Sequence, residues 1–164
     1  MELVDRVFVV TGGGDGIGRE VVRELLARGA RVAAVDRRAQ ALEQMAVELA
    51  APADRLTRHT VDVTDRARVE ALPQEVIAAH GQVDGLLNVA GIIQRFVPFA
   101  ELDYTDMERV MAVNFWGPVH LCKAFLPHLR ARPQAAIVNV SSMGGLAPVP
   151  GQTVYGASKA AVKL

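Results

Sequence analysis

Short runs rich in β-branched residues alternate along this chain with amphipathic stretches that close on Gly or Pro, the pattern of a parallel sheet with crossover helices. Strands are expected at residues 7–10, 31–36, 56–61, 85–89 and 136–140. Between the first two, Ile17, Val21, Val22, Leu25 and Leu26 form one apolar face of a helix over 17–28, closed by Gly29. Further helices are expected at 39–49, 66–80 and 105–129, with a last one starting near Gln152. The fold class is therefore α/β, a doubly wound parallel sheet with helices on both faces. No low-complexity linker or further repeat interrupts the alternation, so residues 1–164 read as one domain.

The turn after the first strand is Thr11-Gly12-Gly13-Gly14-Asp15-Gly16-Ile17-Gly18, and it delivers the chain to a helix N-terminus. Anions are stabilised there. Glycines let backbone approach a pyrophosphate, and Gly18 allows close packing of helix on sheet. A glycine-rich turn alone is weak evidence, since any tight strand-to-helix turn favours glycine. Asp36 strengthens it: at the end of the second strand, 18 residues past Gly18, its carboxylate is placed to accept from an adenosine ribose diol.

A second constellation points to proton transfer. Ser142 stands thirteen residues before Tyr155, and Tyr155 and Lys159 are four apart. If the segment from Gln152 is helical, that pair shares one face a turn apart, so an ammonium sits beside a phenol and favours its phenolate. An unperturbed phenol titrates near pH 10, too high for efficient acid–base work at neutrality, so such chemistry needs the cation. An ordinary helix face is the bland alternative, outweighed by the glycine turn and Asp36. Asn114 is an amide in an otherwise apolar helix, and Pro118, lacking an N–H, removes the helical donor to its carbonyl. That leaves an acceptor able to hold a water.

Charge and composition exclude other classes. Lys plus Arg and Asp plus Glu both number 18, mixed rather than collected in stripes, which argues against a nucleic-acid surface. The opening residues do not read as a signal peptide, and no apolar run approaches the roughly 18 residues a membrane span needs. Cys122 is alone, so a reducing, cytoplasmic setting is expected. His59, His80, His120 and His128 lack ligand spacing and read as surface or helix-end residues, with no metal site. Phe115 and Trp116 read as core or interface residues.

Together these residues resemble the short-chain dehydrogenases and reductases, in the branch with a T-G-x-x-x-G-x-G turn, along the whole chain. Asp62-Val63 matches the place where that family sets an acid against adenine, and Asn88-Val89-Ala90-Gly91 resembles its Asn-Asn-Ala-Gly element with Val89 in the second position. The resemblance implies a Rossmann-like fold and a catalytic set of Asn114, Ser142, Tyr155 and Lys159; Ser142 is selected over Ser141 by its interval to Tyr155. It implies cofactor contacts from Gly12, Asp15, Gly16, Ile17, Gly18, Asp36, Arg37, Asp62, Val63, Asn88, Ala90 and Gly91, with Tyr155 and Lys159. NAD is expected over NADP, because Asp36 and Asp15 would repel a 2′-phosphate, although Arg37 could pair with one. Phe96, Phe99, Met143, Leu146, Val149 and Val154 border the implied substrate cleft, so an apolar alcohol or ketone is expected; Arg95 is the only candidate partner for a substrate carboxylate. Family members usually continue for another third of the fold, so the chain is expected to be a truncated representative lacking the C-terminal strands. A homo-oligomer is expected, and self-association with little turnover if these residues are the whole molecule. The alternative to an oxidoreductase is an NAD-binding fragment or pseudoenzyme without turnover.

Overall fold

The computed structural model describes residues 2–164. Five strands, β1 Val7–Thr11, β2 Arg31–Asp36, β3 Leu56–Thr60, β4 Gly85–Asn88 and β5 Ala136–Asn139, form one parallel sheet in the order β3-β2-β1-β4-β5. The order reverses between β2-β1 and β1-β4, and a crevice opens beyond the strand ends at such a switch point. All five residues of β1 are buried, as a central parallel strand requires. Its alternate side chains feed two cores. Val7 and Val9 pack with α3 Arg66–His80 and α5 Gly117–Arg130 through Val69, Leu72, Leu121 and Phe125. Phe8 and Val10 pack with α1 Gly16–Ala27 and α2 Ala39–Leu49 through Val22, Leu25, Leu42 and Met45. Helices thus cover both faces, as the alternation requires.

Asp84 fastens the opposite end of the sheet. Its fully buried carboxylate accepts from the Val7 N–H at 3.0 Å, from Arg6 and Arg132 at 3.2 and 2.8 Å, and from Gln82 at 2.7 Å. Burial raises its pKa, but the Val7 N–H and the guanidinium groups outweigh that and hold it below the ordinary value. β5 is an edge strand among the described residues, with Ile137 and Val138 exposed. No described helix is long and apolar enough to cross a membrane.

The helix expected over 105–129 is interrupted. It comprises α4 Tyr104–Met111, a π-helical turn Ala112–Trp116, and α5. Pro118 is the physical cause, because it offers no N–H to the Asn114 carbonyl; the ladder widens, and the Gly117 N–H reaches back five residues to the Ala112 carbonyl. The last helix, α6, runs Thr153–Lys163.

His59 and His80 turn inward rather than to solvent, although His80 does end α3 as expected. Thr57 Oγ1 lies 2.8 Å from His80 Nε2 and 3.0 Å from His59 Nε2, and His59 Nδ1 lies 3.4 Å from Glu75. One hydroxyl proton can serve only one imidazole. When His59 donates to Glu75 and accepts from Thr57, His80 must donate to Thr57, which leaves its buried Nδ1 without a partner. A proton on that nitrogen would have no acceptor. Burial lowers both pKa values; Glu75 opposes this at His59, and His59 and Arg31 reinforce it at His80, where Asp54 opposes. The unfolded chain then holds more protons, so this contribution is complete above about pH 6.5 and is lost as pH falls through the folded values. Melting temperature should therefore drop as pH falls below about 6.5, ahead of the range near pH 4.3 where carboxylates titrate. A His59→Gln/His80→Gln double variant should flatten that limb; an equally steep limb would assign it to other groups.

Candidate active site

A cleft of about 380 Å³ lies at the switch point, bordered by the β1–α1 turn, the ends of β2 and β3, and the loop after β4. Gly12, Asp15, Gly16, Ile17 and Gly18 line one wall, Asp36, Arg37, Asp62 and Val63 the far end, and Ala90 and Gly91 the other wall. Eleven residues singled out from the sequence for cofactor contact thus come together. Thr11 joins the two walls, its Oγ1 accepting from the Val89 and Ala90 N–H groups at 3.1 and 3.2 Å.

The turn bends through Gly12 and Gly16, whose φ values of +69° and +49° suit glycine. A Cβ on Gly16 would meet no protein atom within 4 Å, whereas one on Gly18 would lie 2.0 Å from the Gly12 carbonyl oxygen. Gly18 is therefore the point where α1 presses against the turn, and Gly16 faces open space. Asp15 caps α1, its Oδ1 accepting from the Gly16 N–H at 2.7 Å; that bond, with Arg38 beside it, holds its carboxyl below the usual range.

Asp36, nearly buried, accepts from the Gly14 N–H through Oδ2 at 3.2 Å and from the Arg38 N–H through Oδ1 at 3.0 Å. Arg38, rather than Arg37, is the cation seated here: its guanidinium lies 3.5 Å from Asp36 and 3.3 Å from Asp15. Asp62 Oδ1 is engaged locally, accepting from the Thr64 N–H and hydroxyl at 2.9 and 2.7 Å.

At the other end, Asn88 donates across the sheet to Asn139 Oδ1 at 2.7 Å, bracing β4 on β5. Asn114, in the π turn, clasps Ile92: its Oδ1 accepts the Ile92 N–H and its Nδ2 donates to the Ile92 carbonyl, both at 2.9 Å. The same amide donates to buried Ser158 at 3.0 Å, and Ser158 donates to the Tyr155 carbonyl at 2.7 Å. Lys159 Nζ donates to the Val140 carbonyl at 2.8 Å and lies 6.0 Å from the Tyr155 ring centroid. A point above Gly91 is 3.3 Å from Lys159 Nζ and 3.4 Å from Asn114 Oδ1, so the two groups converge there. Lys159 is buried and, among the described residues, no carboxylate pairs with it; burial pushes its pKa below the ordinary lysine value.

Ser142 opens the short turn Met143–Gly145, its Oγ accepting from the Gly144 N–H at 3.2 Å. The turn lies backbone to backbone on α6: a Cβ on Gly145 would meet Lys159 at 2.7 Å, and one on Gly156 the Gly144 carbonyl at 2.7 Å. The turn that Ser142 opens thereby lies against the Tyr155 ring, which is 3.6 Å from a Cβ on Gly144. Ser141 donates instead to the Lys159 carbonyl at 2.7 Å, a structural role. Arg95 is held by Asp103 and Asp106 at 2.6 and 3.0 Å rather than free for a ligand. Three residues at the site had no role in the sequence reading: Arg38, Ser158 and Gln94, whose Oε1 accepts the Val154 and Tyr155 N–H groups. Among the described residues no cluster of His, Cys, Asp and Glu has the arrangement of a metal site.

The sequence profile of the short chain dehydrogenases matches residues 6–164. The 3beta-hydroxysteroid dehydrogenase 2 of Eggerthella lenta is 35% identical over 161 residues, covering 98% of this chain and 62% of that protein. The structure of a short chain dehydrogenase/reductase from Burkholderia phymatum in complex with NAD superposes with a TM-score of 0.93 at 32% identity, over 99% of this chain and 58% of that one. A metagenomic short-chain oxidoreductase in complex with NADP gives 0.91 at 32% identity, over 99% and 74%. The chain spans between 50% and 65% of the length of the curated relatives it matches. With a profile match across nearly all of its residues, and with the parallel sheet and strand order described above, the chain belongs to the short-chain dehydrogenase family of oxidoreductases.

Proposed function

We propose that these residues form the cofactor cleft and proton-transfer machinery of an NAD-dependent oxidoreductase acting between an alcohol and a ketone, within a single domain. The observation that carries the reading is Lys159: a buried ammonium with no carboxylate partner among the described residues is costly to keep, and this one stands beside the Tyr155 ring and faces Gly91, a wall residue of the glycine-walled cleft. When bound, the nicotinamide cofactor would accept or supply the hydride. Gly12, Gly16, Ile17 and Gly18 would hold its pyrophosphate at the α1 N-terminus, Asp36 its adenosine ribose, and Asp62 and Val63 the adenine end. The open space above Gly16 fits such a group.

In this reading Tyr155 exchanges a proton with the substrate oxygen, and Ser142 hydrogen-bonds that oxygen and orients it. Lys159 favours the phenolate and holds the nicotinamide ribose, while the Asn114 carbonyl, to which Pro118 offers no N–H, would anchor a water through which Lys159 is reprotonated. Exposed Phe96, Phe99, Met143, Leu146 and Val149 support an apolar substrate, in keeping with the hydroxysteroid named for one relative. Exposed Trp116 and Leu126, with the apolar β5 edge, support assembly with a second copy. A cytoplasmic setting suits the unpaired Cys122.

NAD is the proposed cofactor because Asp36 would meet a 2′-phosphate with like charge. Arg38, held by Asp36 and Asp15, is the cation that could reverse this once released. Fluorescence titration should show tighter binding of NADH than NADPH, and Asp36→Ala should narrow the gap from both sides by loosening ribose contacts and freeing Arg38. NADPH binding as tight as NADH in the unaltered protein would refute the preference. A panel of apolar alcohols and ketones then tests turnover.

A further inference from the structure

We propose that Gln94 is a positioning residue for Tyr155, setting the height of the phenol by capping α6 from the loop after β4; the proposal rests on the acid–base reading of Tyr155. The first N–H groups of a helix have no partner within it, and α6 makes no side-chain cap of its own at Gln152. Gln94 takes that place from sixty residues upstream. Its Oε1 accepts the Val154 N–H at 3.0 Å and the Tyr155 N–H at 2.8 Å, and its Nε2 donates to the Gly151 carbonyl at 3.0 Å. Both acceptor lone pairs are thereby used.

The side chain is 2% exposed although Ile93, Arg95 and Phe96 around it are exposed, so this one residue turns inward from a surface loop. Gly91 faces Lys159 Nζ, Ile92 is clasped by Asn114, and Gln94 holds the backbone of Tyr155 itself. Residues 91–94 therefore form a strut between the cleft wall and the helix that carries the phenol and the ammonium. A neutral amide does this without placing a carboxylate near the phenol. A Glu would keep both acceptors but disfavour the phenolate through like charge.

The chain has only two tyrosines, and Tyr104 is highly exposed, so the phenolate absorbance of Tyr155 can be isolated by subtracting the Tyr155→Phe titration. In Gln94→Glu that titration should move upward through like charge, and the pH profile of turnover should move with it. Gln94→Met, which loses both acceptors, should speed amide exchange at Val154 and Tyr155 and lower kcat by roughly 10- to 100-fold, with NADH affinity within about twofold. Unchanged exchange in Gln94→Met, or accelerated exchange with unchanged kcat, would overturn the proposal. If Gln94→Met does not fold, Gln94→Asn, whose shorter amide cannot reach both N–H groups, takes its place, and unchanged exchange or unchanged kcat there overturns the proposal. A wild-type protein that binds NADH but turns over no alcohol or ketone counts against the acid–base reading, whereas the exchange and absorbance measurements report on Gln94 without turnover.

Discussion

Tyr155→Phe should lower turnover by about 100- to 10,000-fold, the range a positioned general acid–base group contributes, while NADH affinity stays within about twofold. The substitution removes one oxygen and leaves the ring, which abuts the Met143–Gly145 turn: a Cβ on Gly144 would lie 3.6 Å from it. The backbone contacts of Tyr155 with Gln94 and Ser158 also remain, so α6 keeps its seat. Lys159→Ala should behave differently. It removes the ammonium beside the phenol and also the bond to the Val140 carbonyl at the end of β5, so turnover and cofactor affinity should fall together. The contrast is read from steady-state kinetics and fluorescence titration on the same preparations. A Tyr155→Phe protein that kept most of its kcat would show that another group moves the proton.

The sheet was legible because strands buried on both faces read as apolar runs, and Val7–Thr11 and Arg31–Asp36 lie where those runs do. α2 and α3 match their expected ranges, the latter bounded by Asp65 as cap and Gly81 at a φ of +81°. The π turn was half legible. Pro118 identified the carbonyl that loses its donor, but a missing bond does not reveal that the helix will widen rather than kink. Thr57 and His59 alternate onto one face of β3, a visible signal, yet the third member, His80, arrives by tertiary packing from the end of α3. Arg38 was hidden because either of two adjacent arginines could face Asp36, and only the path of the chain leaving β2 decides between them. Gln94 was out of reach altogether: it sits in no motif, and its partners are about sixty residues away.

Gly18→Ala and Gly16→Ala should separate the two tasks of the glycine turn. A Cβ on Gly18 would stand 2.0 Å from the Gly12 oxygen and 2.5 Å from its carbonyl carbon, far inside contact distance and against backbone that cannot rotate away. Gly12 cannot yield easily, since its own Cβ position is already 3.0 Å from the Ala90 Cα on the opposite wall. α1 must therefore lift from the sheet, straining the core contacts of Val22 and Leu25. Overpacking of this kind costs about 1–3 kcal/mol or more, which for a chain of this length lowers the melting temperature by roughly 2–4 °C per kcal/mol, and the displaced turn should also lose NADH. Gly16→Ala meets no such wall. Its φ of +49° makes a side chain strained by about 1–2 kcal/mol, a modest stability loss, but the new methyl, on a residue that lines the cleft, would stand in open space with no protein atom within 4 Å. NADH affinity should therefore fall by at least about tenfold, roughly 1.4 kcal/mol, in a protein that still folds. Calorimetry and fluorescence titration on both variants decide the matter: a Gly16→Ala protein that bound NADH as tightly as the parent would mean that the pyrophosphate does not lie over this turn.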